Sequence, residues 1–112
     1  MNIQGIINSF FLLLPITLAI TSDFVFEFGI DQGDVIYHTD GTIYFLNPLT
    51  SVEIPVPDGV TVTYVKVTVN ALSPPKVDYD NLYRKVIIKY SWTQISQSTY
   101  NVLVKGMKVN NG

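Results

Sequence analysis

The chain has 112 residues, a length that suits one domain, and it contains no cysteine. Hydrophobic residues make up 47% of the sequence and charged residues 14%, which is too apolar for a disordered chain. The formal net charge is −2, so the chain lacks the basic excess that phosphate binding requires. The composition therefore predicts a globular domain and no nucleic-acid partner.

An apolar run near the amino terminus resembles a secretory signal. Residues 10–20 have the length of a signal's apolar region and are too short for a spanning helix, which needs about 20 residues. Small residues follow, and cleavage after either Thr21 or Ser22 fits them. We expect 1–22 to be a signal peptide and 23–112 a single secreted, extracellular domain with no stable membrane span. An uncleaved anchor and a buried helix are the alternatives.

The strongest strand pattern lies in residues 60–69, where nearly every side chain is β-branched or aromatic. Proline and glycine bound it on both sides. Its apolar positions are even-numbered up to Val62 and odd-numbered from Val65. Because side chains alternate between the two faces of a strand, this change predicts a bulge or sharp twist near Tyr64, or two strand ends that pack on different partners.

Shorter strands are predicted before this one at 24–28, 35–38, 42–46 and 51–54. The first carries phenylalanine on one face. Asp40-Gly41 is typical of a hairpin turn, so the second and third strands should pair with each other. Pro55 stops the fourth, which favours a sheet edge.

After the long strand, residues 70–83 are interpreted as an irregular loop because Pro74 and Pro75 exclude regular structure there. Two strands should follow at 84–92 and 99–105, with a turn at 93–98 between them and a frayed end from Gly106. Their inward side chains would be Val86, Ile88, Tyr90, Trp92, Tyr100, Val102 and Val104. About seven strands and no helix predict an all-β fold, an antiparallel β-sandwich or, alternatively, a small barrel.

Chemical motifs are lacking in the sequence. His38 is the only histidine and is interpreted as a surface residue, since zinc would need further ligands. Asp31, Asp34 and Asp40 lack the spacing of a calcium loop and are interpreted as turn residues. We predict no catalytic, cofactor or metal residue. The candidate interaction residues lie in the expected loop: Lys76, Asp78, Tyr79, Asp80 and Tyr83.

Charge is distributed unevenly along the chain. All seven acidic residues before Lys66 precede any lysine or arginine, whereas the part from Lys66 onward has a net charge of +5. The two halves could interleave in one sheet and pair their charges across strands, each exposed pair contributing ~0–1 kcal/mol. Alternatively, the molecule has an acidic and a basic face and associates with itself.

Four segments of the chain carry a resemblance to a known family: 26–29 with 33–34, 62–70, 86–91 and 100–106. In their order and approximate spacing they resemble the insect multiprotein bridging factor 2 family of small proteins, most of which carry signal peptides. Asp78 to Tyr83 stands where the family has a glycine-rich stretch. The family name implies transcriptional co-activation, a role that a signal peptide argues against, and no functional residues can be transferred.

Two functions remain open from the sequence. The first is a secreted, non-enzymatic interaction protein that contacts a protein partner or another copy of itself. The second is a carrier of a small hydrophobic ligand, because the many aromatic residues could line a cavity instead of filling a core.

Overall fold

The structure, a computed structural model, describes residues 21–44, 47–90 and 97–109. Within these ranges the chain forms seven strands and no helix. They are β1 (Ser22–Gly29), β2 (Asp34–Ile43), β3 (Leu49–Glu53), β4 (Val60–Ala71), β5 (Lys76–Asp80), β6 (Lys85–Lys89) and β7 (Ser98–Lys108). The predicted all-β antiparallel sandwich is confirmed.

Two antiparallel sheets make up the sandwich. One has the strand order β1-β4-β7-β2 and the other β3-β6-β5. The long strand predicted at 60–69 becomes β4 and lies inside the larger sheet, between β1 and β7. The strand that ends before Pro55 becomes β3 and borders the smaller sheet, as its proline predicted.

The core lies between the facing sides of the two sheets. Alternate residues of each strand point into it, as the period of two in the sequence predicts. The larger sheet contributes Val65, Val67, Val69, Val102 and Val104, and the smaller contributes Val52, Val77, Val86 and Ile88. Phe24, Phe26 and Phe28 pack against this cluster from the edge strand β1 and remain half-buried.

The predicted irregularity near Tyr64 is confirmed as a break in the register of β4. The pairing with β7 shifts between Val62 and Tyr64, so one residue of β4 has no counterpart opposite it. The extra residue changes the parity of the strand. As a result, Val62 and Val65 both contact the core although they are three positions apart.

The loop between β1 and β2 joins the two edges of the larger sheet and lies against β4 and β7 on the way. Ile30 N donates to the Thr63 carbonyl (2.9 Å), and Thr63 Oγ1 donates to the Gln32 carbonyl (2.6 Å). Gly29 and Gly33 flank the loop with φ values of +87° and +89°. At either position a β-carbon would overlap a backbone carbonyl oxygen of the sheet. Glycine is therefore required both by the positive φ and by the close approach of the loop to the sheet.

The hairpin predicted at Asp40-Gly41 is wrong, since residues 34–43 form one continuous strand. β7 pairs with β2 along its whole length, which keeps Gly41 extended opposite Tyr100. The Tyr100 ring occupies the space that a side chain at Gly41 would need. A long neighbouring strand therefore overrides the local turn preference of Asp-Gly. Of the predicted strand at 42–46, residues 45 and 46 lie outside the described part of the chain.

The irregular loop predicted at 70–83 is also wrong, because β4 continues to Ala71 and residues 76–80 form β5. Val77 is buried and Tyr79 half-buried on the core side, while the alternate residues Lys76 and Asp78 are exposed. Pro74 and Pro75 precede this alternating segment and do not interrupt it. β5 pairs with β6 along all five of its residues and completes the smaller sheet.

The last strands differ from the prediction in their ends. β6 ends at Lys89, and the predicted inward residues Val86 and Ile88 are buried. The predicted fraying from Gly106 is wrong, since β7 continues to Lys108 and pairs with the start of β4 beyond the bulge. Trp92, most of the turn predicted at 93–98, and all but the last two residues of the predicted signal lie outside the described ranges.

We expect Gly29→Ala to destabilise the fold more than Gly59→Ala, which serves as the matched control. Gly59 has a similar φ of +78° but no atom within 4 Å of its missing β-carbon. Its substitution should lower the free energy of unfolding by about 1–2 kcal/mol, the cost of a left-handed alanine. Gly29→Ala should cost ~1–3 kcal/mol more because backbone must move. Urea denaturation measures both, and equal losses would contradict the close approach of the loop.

Candidate interaction site at the β5–β6 hairpin

The predicted interaction residues lie on one hairpin but do not share one surface. Lys76, Asp78 and Asp80 point away from the core along β5, which borders the smaller sheet. Tyr79 points toward the core, and Tyr83 lies in the turn that leads to β6. The structure therefore brings Tyr79, Asp80 and Tyr83 to one end of the hairpin and leaves Lys76 and Asp78 farther back along the strand.

The turn itself, residues 81–84, is called the hairpin tip below. Asp80 organises it, because its Oδ1 accepts hydrogen bonds from Leu82 N (2.9 Å) and Tyr83 N (3.2 Å). An aspartate that binds the backbone two and three residues ahead fixes a tight turn. The Tyr79 hydroxyl donates to Asn81 Oδ1 (3.2 Å) and ties the tip to the strand behind it.

The tip ends at Arg84, which has a φ of +56°, the only positive value among the non-glycine residues described. Such a conformation costs about 1 kcal/mol or more and persists only where neighbouring contacts enforce it. Here the Arg84 carbonyl accepts a hydrogen bond from Ile54 N (2.9 Å), just beyond β3. The backbone of the tip is therefore held at both ends.

Two large apolar side chains stand in solvent on this rigid turn. Leu82 is 80% exposed and Tyr83 is 69% exposed. Adjacent exposed apolar residues on a constrained loop are typical of a protein-binding surface. Of these tip residues, Tyr83 was predicted from the sequence, whereas Leu82 and Arg84 were not. The turn-forming pair Asp80-Asn81 after an alternating segment could have revealed the hairpin.

An open cleft of about 230 Å³ adjoins the tip between the two sheets. Aromatic and aliphatic side chains line it together with backbone near the β4 bulge: Phe28, Gly29, Val62, Thr63, Tyr64, Val65, Tyr79 and Asn81. The Phe28 and Tyr79 rings meet there, with their centroids 6.3 Å apart and tilted by 45°. Burial raises the pKa of Tyr79 above its ordinary value, Arg84 opposes the shift and Asp80 adds to it, so the phenol is neutral near pH 7.

A second polar cluster covers the bulge on the outer side of the larger sheet. The Tyr64 hydroxyl donates a short hydrogen bond to Glu27 Oε1. Lys105 Nζ lies 5.8 Å from the centre of the Tyr64 ring and 2.6 Å from Asp31 Oδ1. These contacts cover Tyr64, which is 4% exposed although it points away from the core. The cluster joins the loop between β1 and β2 to β1, β4 and β7.

His38 lies in the middle of β2, on the exposed face. Asn101 Nδ2 donates to His38 Nε2 (2.9 Å) and to Asp40 Oδ1 (2.5 Å), so an amide stands between the imidazole and the carboxylate. In the described ranges, no three histidine, cysteine, aspartate or glutamate residues are grouped as a metal site would require. The same ranges contain no helix long and apolar enough to cross a membrane.

Charges of the acidic and basic halves meet across strands. Glu53 lies 3.8 Å from Lys85 on β6, and Asp31 pairs with Lys105 on β7. The register also places Glu27 opposite Lys66. This mixing supports the interleaved alternative over separate acidic and basic faces. Such exposed pairs contribute little to stability.

No protein-family model, curated protein or solved structure matches this chain. The candidate site therefore rests on the contacts of the chain's own residues.

We expect Glu27→Gln to lower the pKa of Tyr64. The hydrogen bond to Glu27 is the largest cause that raises this pKa from the ordinary 10.0 to about 12, and burial adds to it. Because the folded pKa lies above the unfolded one, the contribution of Tyr64 to stability is complete below pH 10 and is lost as the pH rises through 12. Glu27→Gln should move that loss toward pH 10.

Phenolate absorbance in the near ultraviolet measures the titration, and Tyr64→Phe identifies the Tyr64 step in the wild-type curve. An unchanged curve in Glu27→Gln would contradict the role given to the carboxylate.

Proposed function

We propose that this chain is a secreted, non-enzymatic interaction protein that binds a protein partner through the hairpin tip. The observation that carries the proposal is the exposure of Leu82 and Tyr83 on a turn fixed by Asp80 and Arg84. A surface already held in its binding conformation loses little entropy on association. Tyrosine is also among the residues that contribute most to protein interfaces.

The surroundings of the tip fit a protein partner of mixed character. The two apolar side chains would form the buried centre of the contact, and the exposed polar residues Asn81 and Arg84 beside them would form its rim. Asp80 is engaged with the backbone of the turn, so it supports the surface instead of contacting the partner. The core behind the tip provides a rigid base.

A site-specific photocrosslinker tests this surface. We expect p-benzoylphenylalanine at position 83 to capture a discrete protein from the extracellular fluid of the source. The same probe at Tyr44 is the matched control, since that tyrosine is 62% exposed and follows β2 near the opposite end of the larger sheet. It should not capture the same protein.

With the captured protein in hand, Leu82→Ser and Tyr83→Ser should each weaken its binding by about tenfold or more, because central apolar residues dominate such contacts. Both variants should keep the wild-type melting temperature, since surface substitutions change stability by only about ±0.5 kcal/mol. Equal capture from positions 44 and 83, or unchanged affinity in both serine variants, would overturn the proposed surface.

The carrier function is the second candidate, and the cleft beside Tyr79 is the observation that favours it. At about 230 Å³ the cleft is below the ~300–1,000 Å³ typical of ligand pockets, and it is open to solvent. The space between the sheets is occupied by fully buried side chains such as Val65 and Val86. These features support a carrier less well than an interaction protein.

Native mass spectrometry of protein collected from the culture medium distinguishes the two functions. We expect the mass of a chain that begins at Ser22 or Asp23, as signal cleavage predicts, with no additional small apolar mass. A co-purifying apolar ligand would favour the carrier. Retention of the chain with its first 22 residues inside the cell would contradict secretion.

A further inference from the structure

In the part of the chain that the structure describes, the sandwich has four edge strands. Edge strands present unpaired backbone groups to other chains. β1 and β2 border the larger sheet, and β3 and β5 border the smaller one. Soluble proteins protect such edges by bulges, prolines, short strands or charged side chains. The four edges differ in how far they are protected in these ways.

Three of the edges are protected. β2 has a register shift between Val35 and Tyr37 and carries several polar residues. β3 is five residues long and lies between Pro48 and Pro55. β5 is equally short, follows two prolines and alternates with charged residues. Each of these features opposes the addition of another strand.

β1 lacks the bulge, the prolines and the short length that protect the other edges. It is eight residues long, contains no proline or lysine, and pairs with β4 without any register shift. Both of its acids are directed to β4, because Asp23 accepts a hydrogen bond from Asn70 Nδ2 (2.8 Å) and Glu27 accepts one from Tyr64. Within the described ranges, no strand pairs with its other edge.

We propose that β1 pairs antiparallel with β1 of a second copy, which joins two four-stranded sheets into one of eight strands around a two-fold axis. A contact of this kind uses the same surface on both copies and closes after two chains. The protected edge β2 then ends the joined sheet on both sides, so the assembly stops at a dimer. This pairing does not depend on the proposed use of the hairpin tip.

The charges of β1 and the number of residues paired together select the register. Core-facing residues of the two copies lie on the same side of the joined sheet only if the axis passes between a residue and the same residue of the second copy. Such an axis is named below by that residue. An axis at Val25 places Asp23 opposite Glu27 of the second copy, and an axis at Glu27 places that residue opposite itself. Like charges directly across an antiparallel pair are destabilising. Axes at Phe24, Phe26 and Phe28 avoid both conflicts, and of these three the axis at Phe26 pairs the most residues of β1.

With the axis at Phe26, the apolar residues of the two edges coincide. Phe26 lies opposite Phe26 of the second copy, and Phe24 lies opposite Phe28 of the second copy. All three phenylalanines are half-buried in the single chain and pack on the core from the open edge. The dimer would cover this exposed aromatic surface. Val25, which is 51% exposed on the outer face, would lie opposite Glu27 of the second copy.

Cysteine crosslinking tests the register directly, because the chain contains no cysteine of its own. Residues directly opposite in an antiparallel pair have α-carbons about 4.5–5.5 Å apart, within the range that a disulfide bridges. Under mild copper-phenanthroline oxidation, we expect Phe26→Cys to form a covalent dimer at least about tenfold faster than Phe24→Cys. The control loses the same side chain from the same face of the same strand.

A charge pair at Val25 supplies a second measurement that keeps every phenylalanine. Val25→Glu places like charges opposite each other twice in the dimer, whereas Val25→Lys places opposite charges there. Sedimentation equilibrium of the protein purified from expressing cells should give a dissociation constant about tenfold higher for Val25→Glu than for Val25→Lys. Melting of both variants at low protein concentration checks that the single chain folds.

These measurements separate the dimer from the hairpin tip. Leu82→Ser should leave the dissociation constant of the dimer unchanged, and Val25→Glu should leave partner capture at position 83 unchanged. A wild-type protein that stays monomeric at millimolar concentration would overturn the pairing. So would equal crosslinking of Phe26→Cys and Phe24→Cys, or equal dissociation constants for the two Val25 variants.

Discussion

The pairing of β4 with β7 is the contact on which the rest of the molecule depends. These two strands form the middle of the larger sheet, and each of the other two strands of that sheet pairs with only one of them. Their core faces carry fully buried valines, among them Val65, Val67 and Val104. Without this ladder, the β1–β4 and β2–β7 pairs would be two separate ribbons, and the smaller sheet would have no continuous surface to pack on.

The bulge at Val62 and Tyr64 gives this central ladder two functions at once. It keeps valines on the core side along the whole of β4 and turns Tyr64 outward, where Glu27 and Lys105 cover it. At the same point, Thr63 forms two hydrogen bonds with the loop between β1 and β2. One inserted residue therefore determines which side chains of β4 face the core, where the outer polar cluster forms and where the loop between β1 and β2 is anchored.

Because side chains fill the core, the features of this molecule that could bind another molecule lie on its surface. Acidic residues of the first half lie beside basic residues of the second half in three places. At these places, positive and negative charges share the same surface. What distinguishes the surface is instead a rigid turn with exposed Leu82 and Tyr83, and an edge strand without the usual protection. One end of a hairpin and one border of a sheet would thus serve different contacts.

The fold class, the inward valines of the long strand and the irregularity at Tyr64 follow from the residues alone, because side-chain alternation and its change of parity are local patterns. The residues alone could not determine pairing. The number of strands was predicted correctly, although the strands predicted at 35–38 and from 42 onward merge into β2 (Asp34–Ile43) and the strand at 76–80 was missed. Asp40-Gly41 prefers a turn until β7 holds it extended, and residues 76–80 look irregular until β6 pairs with them. Likewise, Tyr83 was recognisable from the sequence as an exposed aromatic residue. The rigidity of its turn, however, depends on the hydrogen bond from Ile54 N to the Arg84 carbonyl. This bond joins distant parts of the chain and therefore forms only once the chain has folded.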